Sequence, residues 1–320
     1  MTIYLGHEEC WRQFSSARDS GKVHHGWILA GPKGIGKSAF AARAAAALVD
    51  PDNSHSTLIE RENHPDILWL RRLAKDTGKD DGDANESLEF KRSITVDQIR
   101  NLQQSLTTRP GLSNRRAIII DAADDLERGG ANALLKSLEE PPVGTFFFLV
   151  SHASDRLLPT VRSRCQILRF NPLPDNEMAN ILRDAAPEAA ASDIESLVHM
   201  SNGAPGQALD FIGLDLGKME DTMTSIIQTG DRSNALRSAL AEQLSLKAAQ
   251  SRYEAFLRRA PALIAERTRG LSTKQLPQGI NAWEAASSLA GRAIALSLDK
   301  QSVVFQMGSL LASVEAHKAT

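Results

Sequence analysis

The stretch that most constrains this chain is AGPKGIGKSAF, residues 30–40. It contains the pattern G-x-x-x-x-G-K-[S/T], which folds as a glycine-rich loop between a buried strand and a helix. The pattern residues are Gly31, Gly36, Lys37 and Ser38. The short apolar run 27–30 precedes the loop, and an alanine-rich segment of helical character follows it to about Val49. This context predicts a nucleotide-binding α/β domain.

Each loop position has a chemical reason. Backbone N–H groups from Gly34 through Ile35 and Gly36 to Ser38 are expected to face the β-phosphate, helped by the following helix N-terminus. Lys37 is expected to reach the β- and γ-phosphates, and the Ser38 hydroxyl to hold Mg²⁺. The alternative is a glycine turn that only caps a helix.

A second strand should supply a carboxylate for the metal ion. The run RRAIIIDAAD places Asp121 after four apolar residues, so Asp121 is the predicted partner of Ser38 at Mg²⁺. Hydrolysing ATPases of this architecture usually carry a glutamate next, whereas this chain has Ala122, which cannot accept a proton. Asp124 is a distant substitute base or a helix cap, and the cap is favoured. On these residues the site binds nucleotide better than it hydrolyses it.

Strand-like and helix-like segments alternate through the first half of the chain. This alternation predicts a parallel sheet with helices on both faces. The predicted strands are residues 27–30, 66–70, 117–120, 146–150 and 166–170. Residues 75–89 are nearly devoid of large apolar side chains and are expected to form a solvated mobile loop. The segment NPLP, residues 171–174, is predicted to be a linker.

Beyond that linker almost every segment has helical character. We therefore expect three domains: an α/β nucleotide-binding domain at 1–172, a small helical lid at 173–213 and a C-terminal helical domain at 214–320. The net charge of −2 provides no general attraction to DNA or to anionic membranes. Two distant cysteines, the absence of a signal-peptide pattern and the absence of a long apolar run lead us to expect a cytoplasmic protein without membrane contact.

Several stretches resemble one family, the bacterial replicative clamp loaders, which are ATPases of the AAA+ type. The matching stretches are LGHEE (5–9), HHGWILAGPKGIGKS (24–38), HPDILWL (64–70), ITVDQIR (94–100), ANALLKSLEEPP (131–142), LLPTVRSRC (157–165) and SNGAPGQAL (201–209). They cover most of the first two predicted domains in order. The C-terminal third is similar to the family only in being helical, and the resemblance implies that it forms an oligomerising collar.

Within that family, three departures from the motor subunits favour a subunit that binds ATP or ADP but hydrolyses ATP weakly or not at all. Ala122 replaces the catalytic glutamate, and Gly206 replaces an arginine that senses the γ-phosphate. The chain also ends at Thr320 without a long extension. The alternative within the family is a hydrolysis-competent motor subunit. A P-loop small-molecule kinase is a remote alternative, since no basic lid is evident.

The triplet Ser163-Arg164-Cys165 carries the other chemical expectation. By resemblance, Arg164 is a trans arginine finger that enters the ATP site of a neighbouring motor subunit, where a planar guanidinium suits phosphate. The alternative is an arginine that caps a helix or pairs with a local acid. Cys165 is expected to be a small buried residue. By resemblance, Arg100 and Arg109 belong to a segment that faces the central chamber or the neighbouring subunits, and a solvated helix face is an alternative of at least equal weight.

Many members of this family hold a four-cysteine zinc module before the HPD segment. Residues 50–63 contain no cysteine here, so we expect no zinc and interpret His55 and His64 as two surface histidines. The resemblance also implies partners: motor subunits of the gamma/tau type, a delta subunit and, through them, the sliding clamp and primer-template DNA. It implies no polymerase activity in this chain.

Overall fold

A five-stranded parallel sheet organises the first part of the chain. The computed structural model describes residues 6–74, 91, 93–189, 191–212, 214 and 216–314. The strands are β1 (Gly26–Ala30), β2 (Ile67–Leu70), β3 (Arg116–Asp121), β4 (Thr145–Ser151) and β5 (Gln166–Arg169). Their order is β2-β3-β4-β1-β5, and every neighbouring pair is parallel. The predicted fold class is confirmed.

Six helices accompany these strands within the described part of the chain. They are α1 (Glu8–Asp19), α2 (Lys37–Val49), α3 (Ser56–Glu60), α4 (Val96–Ser105), α5 (Arg128–Glu139) and α6 (Pro159–Arg162). Two short 3₁₀ turns, Ala123–Asp125 and Ser154–Arg156, follow the carboxyl ends of β3 and β4. The chain therefore alternates strands and helices as the apolar pattern predicts.

The central strands of the sheet are buried on both faces because they are largely apolar runs, whereas the edge strand β5 is exposed at three of its four residues. All five residues of β1 are buried, and so are five of the six residues of β3. One core packs α1 and α2 on the sheet through side chains such as Phe14, Phe40 and Phe148. The other packs α4, α5 and α6 on the opposite face, around Ile99, Leu134 and Val161. Alanines at the α2 interface let that helix lie close to the sheet.

Parallel strands end at a common edge, and this edge carries the candidate site. Ala30 pairs with Ser151, and Asp121 pairs with Val150. The loop after β1, the end of β3 and the turn after β4 are therefore neighbours. Ligands of open parallel sheets bind at this carboxyl edge, where the strand order reverses.

The helix after β3 begins earlier than the sequence predicts. The sequence predicts a helix over residues 132–140, whereas α5 begins at Arg128 and ends at Glu139. Gly130 is buried there. A Cβ added at this position would lie 3.5 Å from Cγ1 of Ile99. The glycine pair is thus part of the packing between α5 and α4. The predicted loop at 75–89 lies outside the described residues.

The remainder of the described chain is helical. The helices are α7 (Asp175–Ala185), α8 (Ala191–Ser201), α9 (Pro205–Phe211), α10 (Leu216–Thr229), α11 (Ala235–Ser245), α12 (Gln250–Arg269), α13 (Leu276–Ala295) and α14 (Lys300–Ser313). Arg259 of α12 is buried and forms 2.6 Å ion pairs with Glu220 and Glu266. The expectation of a helical C-terminal region is confirmed for these residues.

The chain divides into two compact units. One comprises Met1–Glu177 with Gly203–Gly206, and the other comprises Met178–Asn202 with Gln207–Thr320. Gly203–Gly206 thus belongs with the sheet. The three-domain boundaries at 172 and 213 stay a prediction. None of the helices in the described ranges has the length and apolar character that a bilayer crossing requires.

Candidate functional site

The loop between β1 and α2 has the backbone shape that its glycines allow. Gly34 and Gly36 have φ values of +80° and +99°, in the left-handed region that L side chains rarely adopt. Gly36 is also the residue that precedes the first residue of α2. Glycine at both positions is required by the path of the backbone from strand to helix.

The N–H groups of this loop have no protein partner. No backbone N–H of residues 34–38 donates to another residue in the described ranges. The carbonyls of Gly34 and Ile35, in contrast, accept from the Gly206 N–H at 2.7 Å and from Nε2 of His7 at 2.8 Å. A row of unpaired N–H groups at the start of a helix fits an anion such as a phosphate group.

Lys37 is held at the same place. Its side chain is 2% exposed, and its ammonium donates to the carbonyls of Gly31 at 2.6 Å and Pro32 at 2.5 Å. Burial lowers the pKa of Lys37 to about 8, although the charges of Asp124 and Asp121 act in the opposite direction. A buried ammonium with a lowered pKa is a typical partner for a bound anion.

Asp121 lies at the end of β3, as predicted, beside a cation that the sequence analysis missed. Nε of Arg71 lies 3.9 Å from Oδ2 of Asp121. The same guanidinium forms two hydrogen bonds to Glu62, at 2.6 and 2.9 Å, and covers the ring of Trp69. Arg71 follows β2 directly, and the β2–β3 register brings it to Asp121. Ser38 is half-buried in the first turn of α2.

Asp124 has a structural role that differs from the predicted cap of a following helix. Its carboxylate accepts from the Ser151 hydroxyl at 2.9 Å, the His152 N–H at 2.6 Å and the Ala153 N–H at 3.1 Å. It therefore ties the end of β3 to the end of β4. With both oxygens committed to these donors, Asp124 is poorly suited to act as the substitute base.

Two further positions that bear on hydrolysis are apolar. Ala122 is 5% exposed and contributes only a methyl group next to Asp121. Gly206 approaches the phosphate loop through its backbone alone, with the bond to Gly34 given above. His152 lies at the same edge, and partial desolvation together with the charge of Lys37 lowers the pKa of its imidazole.

Arg164 is paired within the chain. Its Nη2 lies 2.5 Å from Oε1 of Glu139, and its Nη1 donates to the Thr160 carbonyl at 2.8 Å. The side chain is 33% exposed. Both features of the alternative, a local acid and a helix carbonyl, are thus present, and the role in trans stays a prediction. Cys165 is only half-buried, and desolvation raises the pKa of its thiol to about 12.

The expectation of two surface histidines is wrong for His64, which is 3% exposed. Burial lowers the pKa of His64, and its Nε2 has no hydrogen-bond partner within the described ranges. His55 lies edge-on to it, and Asp50 organises the turn by accepting from the N–H groups of Ser54 at 3.1 Å and His55 at 2.8 Å. A carboxylate therefore holds this turn of the chain.

The two interpretations of Arg100 and Arg109 both stay predictions, since both side chains are exposed. Arg100 forms an exposed pair with Asp97 at 3.1 Å, and the side chain of Arg109 is exposed. Asp66 of the HPD segment is fully buried and accepts from three N–H groups, those of residues 111–113. No group of three or more His, Cys, Asp or Glu side chains among the described residues has the arrangement of a metal site.

Comparison with known proteins places the sheet-containing part in one family. The family model described as DNA polymerase III, delta subunit, matches residues 6–174, just over half of the chain. A DNA polymerase III subunit delta' of Pseudomonas aeruginosa is 32% identical over 63% of this chain and 59% of its own length. The corresponding protein of Escherichia coli is 27% identical over 69% of this chain and 64% of its own length. A DNA polymerase III subunit gamma of Buchnera aphidicola is 28% identical over 66% of this chain and 56% of its own length.

The alignments thus span less than two thirds of these relatives. Among solved structures, a gamma-subunit-related protein of Thermotoga maritima aligns with 94% of this chain and 98% of its own chain, at 16% identity and a TM-score of 0.44. The RuvB Holliday junction branch migration motor of the same organism aligns with 95% of this chain and 87% of its own, at 18% identity and a TM-score of 0.46.

Proposed function

Because this chain belongs to the DNA polymerase III delta subunit family, we propose that it is the delta'-type subunit of a bacterial clamp loader. In this role it binds ATP or ADP, hydrolyses ATP poorly, and supplies an arginine to a neighbouring motor subunit. It thereby assists the loading of a sliding clamp on primed DNA. The family assignment leaves the small-molecule kinase alternative without support.

The observation that carries nucleotide binding is the loop of unpaired N–H groups over a buried lysine. Residues 34–38 offer N–H donors without protein partners, and Lys37 adds a positive charge that burial makes costly in the absence of an anion. A phosphate group satisfies both. Gly31, Gly34, Ile35, Gly36, Lys37 and Ser38 would hold the phosphates, and Ser38 with Asp121 would hold Mg²⁺. The metal ion, when bound, neutralises phosphate charge.

Weak hydrolysis follows from what surrounds this cradle. Asp121 is followed by Ala122, which has no group to polarise an attacking water. Asp124, the carboxylate that the sequence suggests as a substitute, already accepts three hydrogen bonds. Gly206 provides no cation at the position where motor subunits of the family carry an arginine. The chain is therefore equipped to hold a nucleotide rather than to cleave it.

The trans role of Arg164 is supported by its position on the sheet-containing unit. It follows α6 on the turn into β5, and it is partly exposed. In the single chain its guanidinium is neutralised by Glu139. Engagement of a neighbour's phosphate exchanges this carboxylate for a more highly charged acceptor, which favours the exchange. The helices from α10 onward are proposed to form the collar that joins motor and delta subunits.

The test is DNA-stimulated ATPase activity of a complex reconstituted with motor and delta subunits. Arg164→Ala is expected to reduce turnover by roughly tenfold or more, since arginine fingers commonly contribute large factors. Arg162→Ala is the matched control, because Arg162 lies two residues away on α6 and pairs with Asp155 at 3.2 Å. Equal turnover with both variants, in complexes of verified composition, would refute the finger assignment.

The second candidate, a hydrolysis-competent motor subunit, is favoured only by the intact loop with Asp121 and by similarity to gamma-type relatives. It predicts ATP turnover by the isolated chain that Lys37→Ala abolishes. The delta'-type proposal predicts no such turnover.

A further inference from the structure

The segment Gly203–Gly206 lies against the outside of the phosphate loop. The backbone N–H of Gly206 donates to the Gly34 carbonyl at 2.7 Å. The same segment is anchored to the chain after β5, because the N–H of Leu173 donates to the Gly203 carbonyl at 2.9 Å. Ala204, between the two contacts, is 1% exposed. The segment is thus fixed at both ends and touches the loop with backbone atoms.

Only glycine allows this approach at position 206. An added Cβ would lie 2.8 Å from the Gly34 oxygen, 3.2 Å from its Cα and 3.3 Å from its carbonyl carbon. These are backbone atoms, so no rotamer change removes the overlap. Glycine at position 206 therefore does more than remove a cation. Its lack of a side chain is what allows the Gly206 N–H to reach the Gly34 carbonyl.

His7 makes the equivalent contact one peptide further along. Its Nε2 lies 2.8 Å from the Ile35 carbonyl, so this nitrogen carries the hydrogen. The imidazole packs edge-on against Phe170 with ring centroids 4.8 Å apart, which fixes its orientation. Consecutive carbonyls of the phosphate loop are therefore bound from outside by Gly206 and His7.

These two bonds determine where the loop's N–H groups point. In a planar trans peptide the C=O and the N–H of the next residue are antiparallel. Binding of the Gly34 carbonyl from one side turns the Ile35 N–H to the other side, and binding of the Ile35 carbonyl does the same for the Gly36 N–H. Neither N–H has a partner among the described residues. The outer contacts therefore aim two donors into the phosphate cradle.

We infer that Gly206 and His7 are positioning residues that preorganise the phosphate cradle of a subunit without a sensor arginine. The inference rests on the proposed nucleotide binding and names how this chain achieves it. A loop that is already ordered loses less conformational freedom on binding, so affinity is retained although one cation is missing. Neither residue touches the nucleotide in this role.

The experiment measures affinity for Mg²⁺–ADP and Mg²⁺–ATP by calorimetry on the full chain. Gly206→Ala and His7→Leu are each expected to raise Kd by roughly 3- to 10-fold, the effect of losing one hydrogen bond that orders the loop. His7→Gln, whose amide can donate to the Ile35 carbonyl, is expected to retain affinity within about 2-fold of the wild type. Gly217→Ala is the control, because its added Cβ meets no atom nearer than 4.0 Å.

The melting temperature of each variant without nucleotide shows whether its fold is intact. A variant that melts like the wild type but binds nucleotide more weakly has an altered phosphate cradle and not a damaged fold. Affinity equal to the wild type in Gly206→Ala and in His7→Leu would overturn the inference, and so would equal losses in His7→Gln and His7→Leu. If the wild type binds neither nucleotide, or binds no more tightly than Lys37→Ala, the proposed function itself is refuted.

Amide hydrogen exchange tests the bond from the Gly206 N–H to the Gly34 carbonyl in the chain without nucleotide, whether or not the chain binds nucleotide. The Gly206 N–H is expected to exchange at least about tenfold more slowly than the unpaired Gly36 N–H. Equal exchange rates for the two groups would overturn the inference independently of nucleotide.

Discussion

At the residue scale, the phosphate loop could be predicted because its requirements are local. Gly34 and Gly36 adopt the positive φ values that the pattern demands, and Lys37 returns to the carbonyls of its own loop. His7 and Arg71 were missed for the opposite reason. Each reaches the site from a distant part of the chain, and nothing in a local pattern marks such a contact. His7 belongs to the LGHEE stretch that carries the family resemblance, and Arg71 lies just after the HPDILWL stretch.

The ionisation of Lys37 provides a prediction at this scale. Burial lowers its pKa to about 8 in the chain without nucleotide, and a bound phosphate raises that pKa again. Above about pH 8 the free chain has lost the proton that the complex retains, so binding takes up a proton. Proton uptake on ADP binding is expected to increase from pH 7 to pH 9, and affinity to fall over the same range.

Calorimetry in two buffers of different ionisation enthalpy measures this uptake. Lys37→Arg is the control, because a guanidinium stays charged throughout and should show no increase. The same proton uptake by both proteins at pH 9 would contradict the assignment to Lys37.

At the scale of elements, β1, β3 and β4 could be predicted because each is largely an apolar run buried on both faces. β5 is exposed at three of its four residues, so its apolar signal is weaker. The start of α5 differs from the predicted start at residue 132, because α5 begins at Arg128 and its Gly130 is buried against α4. Helix propensity of single residues is a weak guide where tertiary packing decides. The same holds for Asp124, whose local pattern resembles a cap but whose carboxylate joins two strand ends.

Asp66 provides a prediction for the link between β2 and β3. Burial pushes the pKa of Asp66 up, but three N–H donors outweigh this and lower the pKa below its ordinary 3.8. Asp66→Asn places an amide donor against those N–H groups and is expected to lower the free energy of unfolding by about 2 kcal/mol at pH 7. Because the folded pKa is lowered, this contribution is complete above about pH 4 and is lost as the pH falls further.

Urea unfolding at pH 7 and at pH 3 measures the difference. Asp97→Asn is the control, since Asp97 is 76% exposed and its loss should cost no more than about 0.5 kcal/mol. A destabilisation by Asp66→Asn that is as large at pH 3 as at pH 7 would contradict the role of the charged carboxylate.

At the scale of the whole molecule, the chain combines a glycine-rich loop of the phosphate-binding pattern with Ala122 after Asp121 and with Gly206 beside the loop. The resemblance of ordered stretches predicted the family, and the match over residues 6–174 confirms it. The helical part could be predicted only as helical, because amphipathic helices carry little information about partners. Arg259 is buried in the second unit and pairs with the partly exposed Glu220 and Glu266, so that its charge is compensated.

The central claim is that this chain holds a nucleotide without cleaving it. The most direct measurement determines bound nucleotide and released phosphate on the same purified sample, for the wild type and for Lys37→Ala. We predict a single bound nucleotide per wild-type chain, its loss in Lys37→Ala, and phosphate release from ATP no faster than that of the variant. Turnover that depends on Lys37, or a wild-type chain that binds neither ATP nor ADP, would contradict the account.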